Sequence, residues 1–193
     1  MSMHYMAAIG FSAGGLNPVI DFFEHTPNDN VSYVILQHLP DGFQTRLNTL
    51  LNKHSRLPAR IAEAGMEART DTVYVQPAHG YLSLAGNCFT IEERTTVRHF
   101  PNRAIDIFFT ALARSYGDRS IGIILSGGGM DGTAGILAIK KAGGLVLSQD
   151  IQSSSYSGMP FNAINTGRVD DSARPAALPD IIRSHIEARQ NKV

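Results

Sequence analysis

The runs "VSYVILQ" (31–37) and "SIGIILS" (120–126) are apolar along most of their length instead of at alternate positions. Strands of this kind are buried on both faces, because a sheet with one wet face alternates apolar and polar residues. They therefore belong in a sheet covered by helices on each side. The chain supplies those helices: short apolar runs alternate with helix-length segments from end to end. That alternation predicts an α/β fold, a doubly wound, mostly parallel sheet flanked by helices.

Tyr5 to Ile9 reads as the first strand. Leu16 to Glu24 reads as a helix, with Pro18 in its first turn, where the missing N–H leaves no bond unmade. Phe43 to His54 carries Phe43, Leu47, Leu50 and Leu51 at helical spacing. Short strands follow at 59–62 and 72–75. "YLSLAGNCFTI" alternates about Gly86-Asn87 and predicts a β-hairpin near residues 81–92. Ala104 to Tyr116 is apolar at 105, 108, 109 and 112, a helix ended by Gly117. Thr133 to Ala142 reads as a helix stopped by Gly143-Gly144, "LVLSQD" as a further strand, and Pro175 to Gln190 as a closing helix. With no internal repeat and no low-complexity linker, residues 1–193 read as a single domain. A chain of that length buries roughly 70% of the surface its extended form exposes, so neither disulfide nor structural metal is needed for stability.

Lys plus Arg number 17 and Asp plus Glu number 17, and no basic run interrupts the balance. Nucleic acid is therefore not an expected partner. The single cysteine, Cys88, suits a reducing compartment and reads as a small buried or half-buried hydrophobe. No apolar stretch approaches the ~20 residues of a membrane span, and "MSMHYMAAIG" lacks the form of a signal peptide. A cytoplasmic protein without direct membrane insertion is expected. The abrupt start fits a fragment of a longer protein, and equally a short natural N-terminus.

Three loops directly follow buried strands: "GFSAGG", "QHLPDGF" and "GGGMDGTAG". In a parallel sheet the strand C-termini share one edge, and ligands bind in the crevice there. Ser12, His38 and Asp131 are thus expected on one edge. A hydroxyl needs a base to become a nucleophile, an imidazole can take and return that proton, and a carboxylate behind it fixes the tautomer. "GFSAG" also has the G-x-S-x-G form of a nucleophile elbow. Each residue has a plainer use as well: Ser12 as a helix cap, His38 as a polar strand end, Asp131 as the N-cap of the helix after it. The order Ser, His, Asp is not that of the α/β-hydrolase fold, where the acid precedes the histidine.

Backbone amides of "GFSAGG" at a helix start offer an anion site as a rival use. Yet Ser12 breaks G-x-G-x-x-G, no Walker lysine follows, and Gln37-His38 stands where a ribose-binding acid is expected. The other histidines, at 4, 25, 54, 79, 99 and 185, form no HxH or HxxxH pair. No cofactor and no metal is expected.

Seven segments, "AIGFSAGG", "ILQHLPDGF", "VYVQPAHGYL", "IDIFFTALA", "IGIILSGGGMDGTAGI", "AGGLVLSQD" and "YSGMPFNAI", together resemble the catalytic domain of the CheB-type chemotaxis receptor methylesterases. They run in the family's order over roughly residues 6 to 182. The resemblance implies hydrolysis of γ-glutamyl methyl esters on methyl-accepting chemotaxis receptors, with deamidation of receptor glutamines in some members. It implies Ser12 as nucleophile, His38 as base and Asp131 as acid. It also implies backbone oxyanion donors at Ala13 and Gly128, and substrate-proximal positions at Gly129, Met130 and Met159. Two departures stand out: Ala13 where the family has threonine, and Gly128 where its loop has methionine. Both resemble the branch fused to a receptor methyltransferase. The receiver domain of the stand-alone enzymes is not expected in this chain. A second reading keeps the domain as a regulatory or docking module without turnover.

Overall fold

The computed structural model describes residues 4–38, 45–93 and 102–191. In chain order the elements are β1 (Tyr5–Phe11), α1 (Leu16–Glu24), β2 (Val31–Gln37), α2 (Leu47–His54), β3 (Ala59–Ile61), β4 (Thr72–Val75), β5 (Gly80–Ala85) and β6 (Cys88–Glu93). After these come α3 (Ala104–Tyr116), β7 (Ser120–Ile124), α4 (Thr133–Lys141), β8 (Leu145–Gln149), α5 (Gly158–Asn165), β9 (Asp171–Ala173) and α6 (Leu178–Gln190). Seven strands form one sheet in the order β3-β4-β2-β1-β7-β8-β9, and every pairing in it is parallel. β5 and β6 form a separate antiparallel hairpin.

The strands are apolar on both faces because the sheet has a core on each side. Tyr5, Ala7, Ile9 and Phe11 of β1, with Tyr33 and Ile35 of β2, face Phe22 and Phe23 of α1, Leu51 of α2 and Ile182 of α6. Met6, Ala8, Val34 and Leu36 belong to the other core, with Ile105, Phe108 and Phe109 of α3, Ile136 of α4 and Met159 of α5. The hairpin adds Leu82 and Phe89 to that second core. Each fully buried Phe, Ile or Leu contributes about 1.5–3 kcal/mol. The two cores therefore hold the sheet, and its edge is free to carry irregular loops.

Several expectations are corrected in detail. The helix expected from Phe43 begins at Leu47, because Thr45 Oγ1 accepts the Leu47 N–H at 3.1 Å and starts the first turn there. Phe43 itself lies outside the described residues. The closing helix begins at Leu178, after a single 3-10 turn over Pro175–Ala177. Cys88 is exposed, not buried, at the start of β6. Two elements were not anticipated, α5 and the three-residue edge strand β9.

Candidate active site

The strand order places the crevice. β2 lies on one side of β1 and β7 on the other, so the C-terminal ends of β1, β2 and β7 lie side by side where the winding reverses, the usual ligand position in such sheets. Phe11 pairs with Gln37 across β1 and β2, which makes Ser12 and His38 the next residues along neighbouring strands. On the other side the Ser12 N–H donates to the Ser126 carbonyl at 3.0 Å, just past the end of β7. Ser12 is thus set between His38 and Ser126 at the end of the sheet.

His38 Nε2 lies 2.7 Å from Asp131 Oδ2. The His38 side chain is 20% exposed and that of Asp131 only 4%, so the pair is open on the histidine side. An ionised carboxylate only accepts, so Nε2 carries the proton and Nδ1 holds the free lone pair. Asp131 is fixed by more than this contact. Its Oδ2 accepts the Ile105 N–H and its Oδ1 the Asp106 N–H, both at 3.0 Å. These are first-turn amides of α3, which otherwise lack acceptors. Asp131 therefore caps α3, while the N-cap of its own following helix, α4, is Gly132. The simple expectation of Asp131 as the α4 cap is corrected.

The Gly-rich loops differ residue by residue. Gly127 N–H donates to the Tyr156 carbonyl at 2.9 Å, and its own carbonyl accepts from Met159 N at 2.8 Å. Among the described residues the N–H groups of Ala13 and Gly128 donate no hydrogen bond, and both residues are exposed. A Cβ on Gly127 would lie 2.1 Å from Met159 Sδ and 3.0 Å from Ser12 Cβ, whereas one on Gly128 would meet nothing within 4 Å. Gly129 has φ 85°, and its carbonyl is held by Asn162 Nδ2 at 2.8 Å. Met130 is 65% exposed, while Met159 is buried beneath the loop, against Gly127.

Sequence reasoning missed three contributors. Asp106 accepts amides at the start of α4. Gln149, at the end of β8, accepts from Ser126 N and Oγ. The Tyr156 ring stands against Gly14. Only for Gln149, a polar residue ending a buried strand, did the pattern hold a usable signal.

A doubly wound α/β domain that pairs a histidine with a buried carboxylate beside a serine in a glycine turn has the set of groups that acyl transfer requires. More specifically, the chain belongs to the CheB methylesterase family, which it matches over residues 7–182. It is 35% identical over 183 residues to the protein-glutamate methylesterase/protein-glutamine glutaminase of Thiobacillus denitrificans, covering 92% of this chain and 51% of the relative. The protein of the same description from Paraburkholderia xenovorans is 33% identical over 188 residues, 95% of this chain and 51% of the relative. The chain thus spans about half the length of these curated relatives. The crystal structure of the Thermotoga maritima CheB methylesterase catalytic domain superposes with a TM-score of 0.86 at 28% identity, covering 96% of this chain and 98% of that one.

Proposed function

We propose that this domain hydrolyses γ-glutamyl methyl esters on methyl-accepting chemotaxis receptors, with Ser12 as nucleophile, His38 as base and Asp131 as the acid behind it. The observation that carries the reading is the His38–Asp131 contact at 2.7 Å, one strand from Ser12. Ser12 Oγ attacks the ester carbonyl as its proton passes to His38 Nδ1. The tetrahedral intermediate collapses, and methoxide leaves as methanol with that proton. Water then attacks the glutamyl-Ser12 ester through the same base, releasing the glutamate and restoring Ser12. A glutamine amide follows the same course with ammonia leaving. The relatives' shared description, naming both methylesterase and glutaminase, supports both substrates.

The unpaired amides of Ala13 and Gly128 are suited to the oxyanion, and α1 begins at Leu16, so its positive end lies close to Ser12. Leu16, Met130, Tyr156 and Phe161 are exposed apolar side chains carried by the segments that build this edge. They suit a macromolecular substrate, with Gly129 and Met130 nearest to it. Met159 supports the loop from below. We read residues 1–193 as one catalytic domain without a receiver fold of its own, working in the cytoplasm with a fused or associated methyltransferase or receiver domain. No helix among the described residues is long and apolar enough to cross a membrane.

The test is methanol release from methylated receptor, measured with receptor binding. Turnover by the wild type that disappears in Ser12→Ala supports the hydrolase. Receptor binding with no methanol release from the wild type would make the domain a docking module.

A further inference from the structure

We propose that Asp106 is a positioning residue for the acid Asp131, holding the backbone that follows Asp131 in the turn that keeps its carboxylate on His38. Asp106 lies in the first turn of α3 and is 8% exposed. Its Oδ1 accepts the Gly132 N–H at 3.0 Å and the Gly135 N–H at 2.8 Å, both at the start of α4. Its own N–H donates to Asp131 Oδ1. Two carboxylates thus exchange helix starts: Asp131, one residue before the α4 N-cap, satisfies α3, and Asp106, inside α3, satisfies α4.

The turn between them has little slack. Gly132 has φ 97°, and a Cβ there would lie 2.6 Å from Ile124 Cδ1 and 3.0 Å from Ile105 Cγ2. Release of the Gly132 and Gly135 amides frees this left-handed turn, and Asp131 moves with it. Burial raises the Asp106 carboxyl above its ordinary range. The Asp131 charge pushes the same way, and the Gly135 and Gly132 amides and Arg103 oppose. The role of Asp106 rests on the two amides that its Oδ1 accepts, which an uncharged oxygen can also accept.

That distinction gives the test. Asp106→Asn keeps an oxygen for both amides and removes the charge. Asp106→Glu keeps the charge but places its oxygens one methylene further out, and Asp106→Ala removes the acceptor. Because the role rests on the hydrolase reading, two measurements are made on each folded variant. One is kcat for methanol release. The other is the low-field proton resonance of His38 Nε2–H, which reports the contact with Asp131 whether or not the domain turns over. A misplacement of about 1 Å costs about 10²-fold in rate. The expected result is that Asp106→Ala and Asp106→Glu lose about that factor in kcat, with KM little moved and the resonance lost. Asp106→Asn should keep the resonance and at least ~10-fold more activity than either. Wild-type kcat and resonance in Asp106→Ala, or Asp106→Glu outperforming Asp106→Asn, would overturn the proposal. If Asp106→Ala does not fold, the order of Asn and Glu decides. A wild type without methanol release but with the expected resonance pattern would fail the hydrolase reading and keep the positioning one.

Discussion

His38 Nε2 meets Asp131 Oδ2 at 2.7 Å, so in the proposed mechanism the nitrogen left for Ser12 is Nδ1. In the serine-protease arrangement the two nitrogens have the opposite duties. The chemistry is indifferent to the exchange, because either nitrogen of a neutral imidazole can be the acceptor while the other donates. What the exchange changes is the geometry of approach, since Nδ1 lies next to the ring's attachment and brings the base close to the strand edge.

Ser12 and Asp131 should fail in different ways. Ser12→Ala removes a half-buried hydroxyl that makes no side-chain hydrogen bond among the described residues, so the fold should survive while hydrolysis falls by about 10⁴-fold. Asp131→Asn should lose a comparable factor through the wrong tautomer. It should also destabilise the domain by about 1–3 kcal/mol, because its amide cannot replace every bond the carboxylate accepts from His38, Ile105 and Asp106. Urea unfolding alongside methanol release separates the two. Equal stability of both variants would mean that the Asp131 cap on α3 contributes little.

The two glycines of the loop after β7 should respond oppositely. Gly127→Ala drives a methyl into Met159 and Ser12 Cβ, an overpacking that costs about 1–3 kcal/mol and displaces Ser12. Gly128→Met points into open space at an ordinary φ and keeps its amide, so folding should be unaffected. Thermal unfolding and turnover of both variants check the contrast. A well-folded, active Gly127→Ala would show that Met159 can yield without moving Ser12.

The sheet was legible because burial on both faces leaves runs that are apolar along most of their length, as "VSYVILQ" and "SIGIILS" are. The placement of the candidate residues was legible through the same strands, since Ser12 and His38 directly follow β1 and β2 and Asp131 lies in the loop after β7. β9 was hidden because "DSA" on a sheet edge carries no apolar signal. α5 was hidden because Gly158 opens it and Pro160 follows in its first turn, and both residues read as breakers. Asp106 could not be found by pattern. An acid in a first helical turn is expected to serve its own helix, and only the packing of α3 against α4 turns it toward Gly132 and Gly135.

Acid should destabilise the domain through two histidines. Burial lowers the pKa of His185, assisted by Arg189 and Lys140 and opposed by Asp170, and the buried His185 Nε2 has no hydrogen-bond partner among the described residues. Burial also lowers that of His4, assisted by Arg119 and opposed by Glu67. A histidine with a lowered folded pKa takes up its proton more readily in the unfolded chain. Stability is therefore lost as pH falls from the ordinary imidazole value, about 6.5, through the lowered folded value. Urea midpoints should drop as pH falls below about 6.5, and the drop should be shallower in His185→Leu. An unchanged slope in that variant would remove His185 from the account.

Gln149 should prove costly to lose although it hydrogen-bonds to neither His38 nor Asp131. Its side chain is 1% exposed, with Oε1 accepting Ser126 N at 2.9 Å and Ser126 Oγ at 3.1 Å. Nε2 donates to Ser153 O at 3.0 Å and Ser153 Oγ at 3.2 Å. Ser126 in turn accepts the Ser12 N–H, so one amide side chain links the loop after β8 to the Ser12 backbone. Gln149→Leu leaves the buried Ser126 N–H and hydroxyl without that acceptor, at a cost of about 1–3 kcal/mol. The freed loop should also lower turnover by about 10²-fold, since a shift of about 1 Å at Ser12 is enough for that. Gln149→Glu keeps the acceptor for Ser126 but turns a second oxygen toward the Ser153 carbonyl, so it should lie between wild type and Gln149→Leu. Urea unfolding and methanol release of both variants check the order. A Gln149→Leu protein as stable and as fast as wild type would show that Ser126 holds Ser12 without help from β8.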